Sequence, residues 1–117
     1  MPNRRRILIV EDEPLISMML EDFLDILDRE VAGTADNVAS ALEVIDGGGV
    51  DAAILDVNLR AGEQSWPIAE RLAGKGIPFI LATGGAGDMI AEPFRDRPVL
   101  SKPFTMDGVE KALDDLA

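Results

Sequence analysis

The sequence predicts an α/β domain built on one doubly wound, five-stranded parallel sheet, and three observations carry that expectation. Apolar runs of four to six residues alternate with segments of helical period, the pattern of successive βα units. The runs are apolar almost throughout instead of alternating with polar residues, so helices should cover both faces of the sheet. Four runs also hand a polar residue to the loop behind them. Glu11 and Asp12 follow 6–10, Asp56 follows 52–55, Thr83 ends 79–83 and Lys102 follows 98–101. In a parallel sheet these loops share one edge, so the four groups can meet.

Each element has its own warrant. The first helix starts at Pro14, a residue suited to a first helical position. Its spacing predicts an inward face of Leu15, Met18, Met19, Phe23 and Ile26 or Leu27. A weak second strand covers 30–35. Asp36 or Asn37 caps a second helix that buries Val38, Ala41, Leu42 and Ile45, and Gly47, Gly48 and Gly49 end it. The third strand is 52–56. Ser65 is placed to cap a third helix reaching about residue 73, with Pro67 tolerated in its first turn. Strands follow at 78–83 and 98–101. Thr105 caps the last helix, whose Val109, Leu113 and Leu116 face inward, with Asp107 favourable near its N-terminus. Between the last two strands, Gly84, Gly85, Gly87 and Pro93 leave room only for a short or mobile fourth helix.

Five such units fit the strand order 2-1-3-4-5. Strands one and three are then neighbours at the switch point, where ligands bind beyond the strand C-termini. Asp12 and Asp56 should lie side by side.

Composition narrows the function. The 117 residues amount to one domain, and 47% hydrophobic content supports a real core. Eleven basic against 22 acidic residues give a net charge of −11, which repels nucleic acid and anionic membranes. No apolar run approaches a membrane span, and no signal peptide is read. There is no cysteine, so neither disulfide nor thiolate metal site, and a cytoplasmic home is expected. There is no histidine either, which removes histidine-based triads and any role as a phosphohistidine carrier.

Glu11-Asp12, Asp56, Thr83 and Lys102-Pro103, each in its βα loop, make the chain resemble the receiver domain of two-component response regulators, over its whole length and in a flavodoxin-like fold. Asp56 to Glu63, Trp66-Pro67, Pro78-Phe79 and Ala82-Thr83-Gly84 narrow the likeness further. They resemble single-domain receivers named for a Phe-Ala-Thr-Gly signature and paired with HWE-type histidine kinases; Leu81 stands at the signature's phenylalanine, and Gly85 where an aromatic often follows.

The resemblance implies roles. Asp56 is the phosphoacceptor, attacking the phosphorus of a kinase phosphohistidine. Asp12 and Asp56 ligate Mg²⁺ directly, with Glu11 through water and Asn58 through its backbone carbonyl; Mn²⁺ or Ca²⁺ are substitutes. Lys102 pairs with the phosphoryl group and Thr83 donates its hydroxyl to it. Such a chain is a single receiver without an output domain, not a turnover enzyme. It signals by binding a downstream protein or by draining phosphate from a kinase. Receivers usually carry an aromatic three residues before the lysine; Val99 stands there, so no ring-flip switch operates.

Blander readings compete at every position. A lone aspartate after a strand is commonly a turn residue, the acids before Pro14 suit a helix N-terminus, Lys102 alone is a surface lysine, and Thr83 fits a strand. Four coincidences at four strand ends outweigh them. An aspartyl-phosphate phosphohydrolase wants a second acid where Asn58 stands. A pseudo-receiver, an interaction module never phosphorylated, is opposed by the intact residue set. Gly85-Ala86-Gly87 follows the fourth strand, where a dinucleotide loop would follow the first.

Overall fold

The computed structural model describes residues 6–57, 59, 64–83, 94, 97–101 and 104–116. In chain order these form β1 (Arg6–Val10), α1 (Pro14–Ile26), β2 (Glu30–Ala35), α2 (Val38–Asp46), β3 (Ala52–Asp56), α3 (Trp66–Gly74), β4 (Phe79–Thr83), β5 (Val99–Ser101) and α4 (Met106–Asp115). The strands make one parallel sheet in the order β2-β1-β3-β4-β5, as the sequence predicts. The expected short helix between β4 and β5 falls on 84–93, outside the described residues.

Strand side chains alternate between two cores, which is why the runs are apolar throughout. Leu8, Val10, Ala53, Leu55, Phe79 and Leu81 pack under α2 and α3, against Ala41, Ile45, Ile68 and Leu72. On the other face Ile7, Ile9, Ile54, Ile80 and Ala82 meet Leu20 and Leu24 of α1 and Val109 and Leu113 of α4.

Helix ends follow local chemistry. Asn37 caps α2 by accepting from the Ser40 amide at 2.8 Å, and Thr105 caps α4 by accepting from the Gly108 amide at 3.0 Å. Behind α2, Gly48 and Gly49 take φ of 85° and 84°, which glycine adopts without strain.

Two expectations need correction. The inward face of α1 is only partly the one its spacing predicts: Met19, Phe23 and Leu27 pack against the core as expected. Leu15, Met18 and Ile26 are exposed, at 80%, 58% and 66%. Leu20 and Leu24 are buried instead, flanked by the partly buried Ile16, Met19, Phe23 and Leu27. Helix α1 is apolar around most of its circumference, so periodicity admits two stripes, and contact with Ile7 and Ile9 selects one. Ser65 occupies the position before α3 but makes no side-chain cap. Its hydroxyl is engaged elsewhere, as described below. No helix among the described residues is long and apolar enough to cross a membrane.

Candidate metal and phosphoacceptor site

Register brings the acids together. β1 and β3 pair with Val10 beside Leu55, so the residues that follow each, Glu11 and Asp56, leave the sheet side by side. Oxygens of Glu11, Asp12 and Asp56 all lie within 4.8 Å of one another. Glu11 and Asp56 are each only 4% exposed, and Asp12 is partly exposed at the mouth. Glu11 is held at both ends: its amide donates to the Ala35 carbonyl at 3.0 Å, and its Oε2 accepts from the Glu13 amide at 3.1 Å. Glu13 makes no side-chain cap on α1, whose first turn carries no acid.

Like charges this close repel, and burial raises the cost by removing water. An all-oxygen set of three carboxylates suits a hard divalent cation, which relieves that repulsion. The set fits such an ion on its donor chemistry.

Thr83, 6% exposed, ends β4 on the same sheet edge and pairs with Ser101 of β5. Asp56 pairs with Ala82, the residue before it, so hydroxyl and carboxylates share one edge, as the sequence predicts. Asn58 and Lys102 lie outside the described residues. Val99 pairs with Leu81 on β5 and is 46% exposed.

Sequence reasoning missed the surroundings. Ser17, Met18, Glu21, Thr34 and Asp36 join Glu11, Asp12 and Pro14 around an open depression of about 250 Å³. Asp36 was legible only as a helix cap. The depression adds two more carboxylates to an already anionic mouth. Trp66 is half-buried. Its ring stacks on Phe94 at 5.8 Å, Phe94 meets Phe79 edge-on at 5.7 Å, and the Arg97 guanidinium sits 4.5 Å above Phe79.

Comparison with known proteins agrees. The model of the response regulator receiver domain matches residues 7–114. The transcriptional regulatory protein TcrA of Mycobacterium tuberculosis is 34% identical over 107 residues, 76% of this chain and 40% of TcrA, so the chain spans about two fifths of that relative. The solution structure of SdrG from Sphingomonas melonis Fr1 has a TM-score of 0.90 at 64% identity, covering 99% of this chain and 98% of that one. The BeF3-activated conformation of SdrG from Pseudomonas melonis Fr1 scores 0.84 at the same identity and coverage. The PhyR receiver domain of Erythrobacter litoralis scores 0.77 at 31% identity, covering 96% and 88%. A match running from β1 into α4, on a fold and an acid cluster reached without it, shows that this chain belongs to the response regulator receiver domain family of two-component systems.

Proposed function

We propose that the chain accepts a phosphoryl group from a histidine kinase onto Asp56 in a Mg²⁺-dependent step and signals through protein contacts. The convergence of Glu11, Asp12 and Asp56 within 4.8 Å at the edge shared by β1 and β3 carries this reading. Asp12 and Asp56 would hold the ion directly, Glu11 through water, and Asn58 through its carbonyl; Mn²⁺ or Ca²⁺ would substitute. When bound, the cation supplies positive charge against the transferring phosphoryl group.

The remaining work belongs to the chain. A carboxylate oxygen of Asp56 forms a bond to phosphorus as the P–N bond of a phosphohistidine protonated on its other ring nitrogen breaks, leaving an acyl phosphate on Asp56 and a neutral imidazole on the kinase. Thr83 donates its hydroxyl to a phosphoryl oxygen, and Lys102 pairs with the new charge. The likeness to SdrG, which extends over 98% of that chain, supports a receiver that signals as a unit by itself. The HWE type is the kinase class that the Pro78-Phe79 and Ala82-Thr83-Gly84 wording favours.

The donor must approach Asp56, and the depression beside it, which shares Glu11 and Asp12 with the acid cluster, is lined by Met18. Exposed Leu15 lies one helical turn away on the same helix. Exposed apolar residues beside an otherwise acidic mouth suit a partner that docks there. Incubation with phosphorylated HWE-type kinase should label the wild type within the kinase's phosphoryl lifetime. A Leu15→Ala, Met18→Ala pair should slow that transfer while acetyl phosphate labels it normally. Equal slowing with acetyl phosphate would place the defect in the site instead of the docking surface. No transfer from any such kinase, with acetyl phosphate equally inert, would remove the proposal.

A further inference from the structure

Ser65 is fully buried, at 0% exposure, and stands where a serine ordinarily caps a helix, yet it does not cap α3. The reason is local. A cap oxygen accepts from the second or third amide of the helix. Here the second residue is Pro67, which has no N–H, and the third amide, Ile68, donates to the Ser65 backbone carbonyl at 3.0 Å. Ala69 donates to that carbonyl as well, also at 3.0 Å. The hydroxyl is thereby released from capping. It donates to the Val57 carbonyl at 3.3 Å, and the Ser65 amide donates to the same oxygen at 3.2 Å.

Val57 is the residue after Asp56 and is 1% exposed. Its own amide donates to the Ala82 carbonyl at 3.0 Å, next to Thr83. The peptide groups on both sides of Val57 are therefore fixed, one by β4 and one by Ser65, with seven residues of chain between Val57 and Ser65.

We propose that Ser65 is a positioning residue for the acid cluster: its buried hydroxyl locks Val57 so that Asp56 is held in register with Glu11 and Asp12. This inference rests on the cluster being a Mg²⁺ site. Without the hydroxyl, the Val57 carbonyl keeps one donor of two, and the backbone behind Asp56 gains freedom that cation binding must remove. A hydrogen bond of this kind corresponds to roughly three- to tenfold in an equilibrium constant.

Calorimetric titration with Mg²⁺ tests it, on wild type, Ser65→Ala and Ile45→Val. The last removes one methyl group from the α2 core, away from the site, and reports what general destabilisation does. The expected result is a Kd raised about three- to tenfold in Ser65→Ala and unchanged in Ile45→Val. Ser65→Cys, of similar size but a weak donor, should fall between, and it carries the test if Ser65→Ala does not fold. Faster hydrogen exchange of the Val57 amide should accompany the weaker binding. Wild-type affinity in a folded Ser65→Ala or Ser65→Cys, or equal weakening in Ile45→Val, overturns the assignment. If the wild type itself fails to bind Mg²⁺, the metal-site reading fails instead, and the two failures are thereby told apart.

Discussion

Two places in this molecule put carboxylates under opposite conditions. On the outer surface, Asp46 of α2 meets Arg71 of α3, whose Nη1 lies 2.5 and 2.6 Å from the two carboxylate oxygens. The pair is open to solvent, and the Arg71 hydrogen bond holds the Asp46 carboxyl below its ordinary range while Arg71 is pushed up. At the sheet edge, Glu11, Asp12 and Asp56 gather three like charges, two of them buried. The first arrangement satisfies charge where water already screens it, so it contributes little. The second concentrates repulsion where water is scarce. A bound cation with a phosphoryl group, as proposed above, would relieve it. The difference teaches that burial of like charge, more than the number of charges, sets the candidate site apart in this acidic chain.

Magnesium should separate the two places most widely. A ligand that binds only the folded state stabilises it by about 2.7 kcal/mol at a hundredfold excess over its Kd. Thermal unfolding should show this rise in the wild type and in Asp46→Asn, and lose most of it in Asp12→Ala. An equal rise in Asp12→Ala would erase the contrast.

A smaller effect should appear without any cation. Asp56→Asn removes one charge from a repulsive group while keeping the side chain's shape, so Mg²⁺-free stability should hold or increase. Urea unfolding measures it. A loss beyond about 1 kcal/mol, the usual size for a disrupted hydrogen bond, would mean the cluster is already satisfied within the fold.

The smallest effect belongs to the surface pair. Because the folded-state pKa of Asp46 is lowered, its contribution is present above the ordinary value of 3.8 and disappears as pH falls through the lowered one. Wild type should therefore exceed Asp46→Asn slightly near neutral pH, converge with it in strong acid, and lose the advantage in high salt. A difference that persisted at the lowest pH would show that Asp46 acts by packing and not by charge.

The sequence made the sheet order, the meeting of Glu11, Asp12 and Asp56, and the place of Thr83 on the same edge legible, because each depends on where an apolar run stops, which is a one-dimensional property. The face of α1 was only partly legible: Met19, Phe23 and Leu27 turn inward as expected, and Leu15, Met18 and Ile26 do not. Leu15, Ile16, Met18, Met19, Leu20, Phe23, Leu24, Ile26 and Leu27 satisfy two helical stripes, and only the packed partners Ile7 and Ile9 choose between them. α4 shows the converse: its few apolar residues leave one solution, and Val109 and Leu113 are buried as expected. Ser65 was legible as a residue before a helix but not as a clasp on Val57, since that bond joins positions eight apart that no helix or strand period relates. The lining by Glu21 and Asp36 was hidden for the same reason: they reach the site from α1 and from the turn after β2.

The central claim, that the buried acid cluster is a cation-assisted phosphoacceptor site, is tested most directly by treating the chain with acetyl phosphate and reading the adduct by mass spectrometry. One phosphoryl group should appear on the peptide containing Asp56, should require Mg²⁺, and should be absent from Asp56→Asn. An adduct that persisted at full yield in Asp56→Asn, or that formed equally well in chelator, would contradict it.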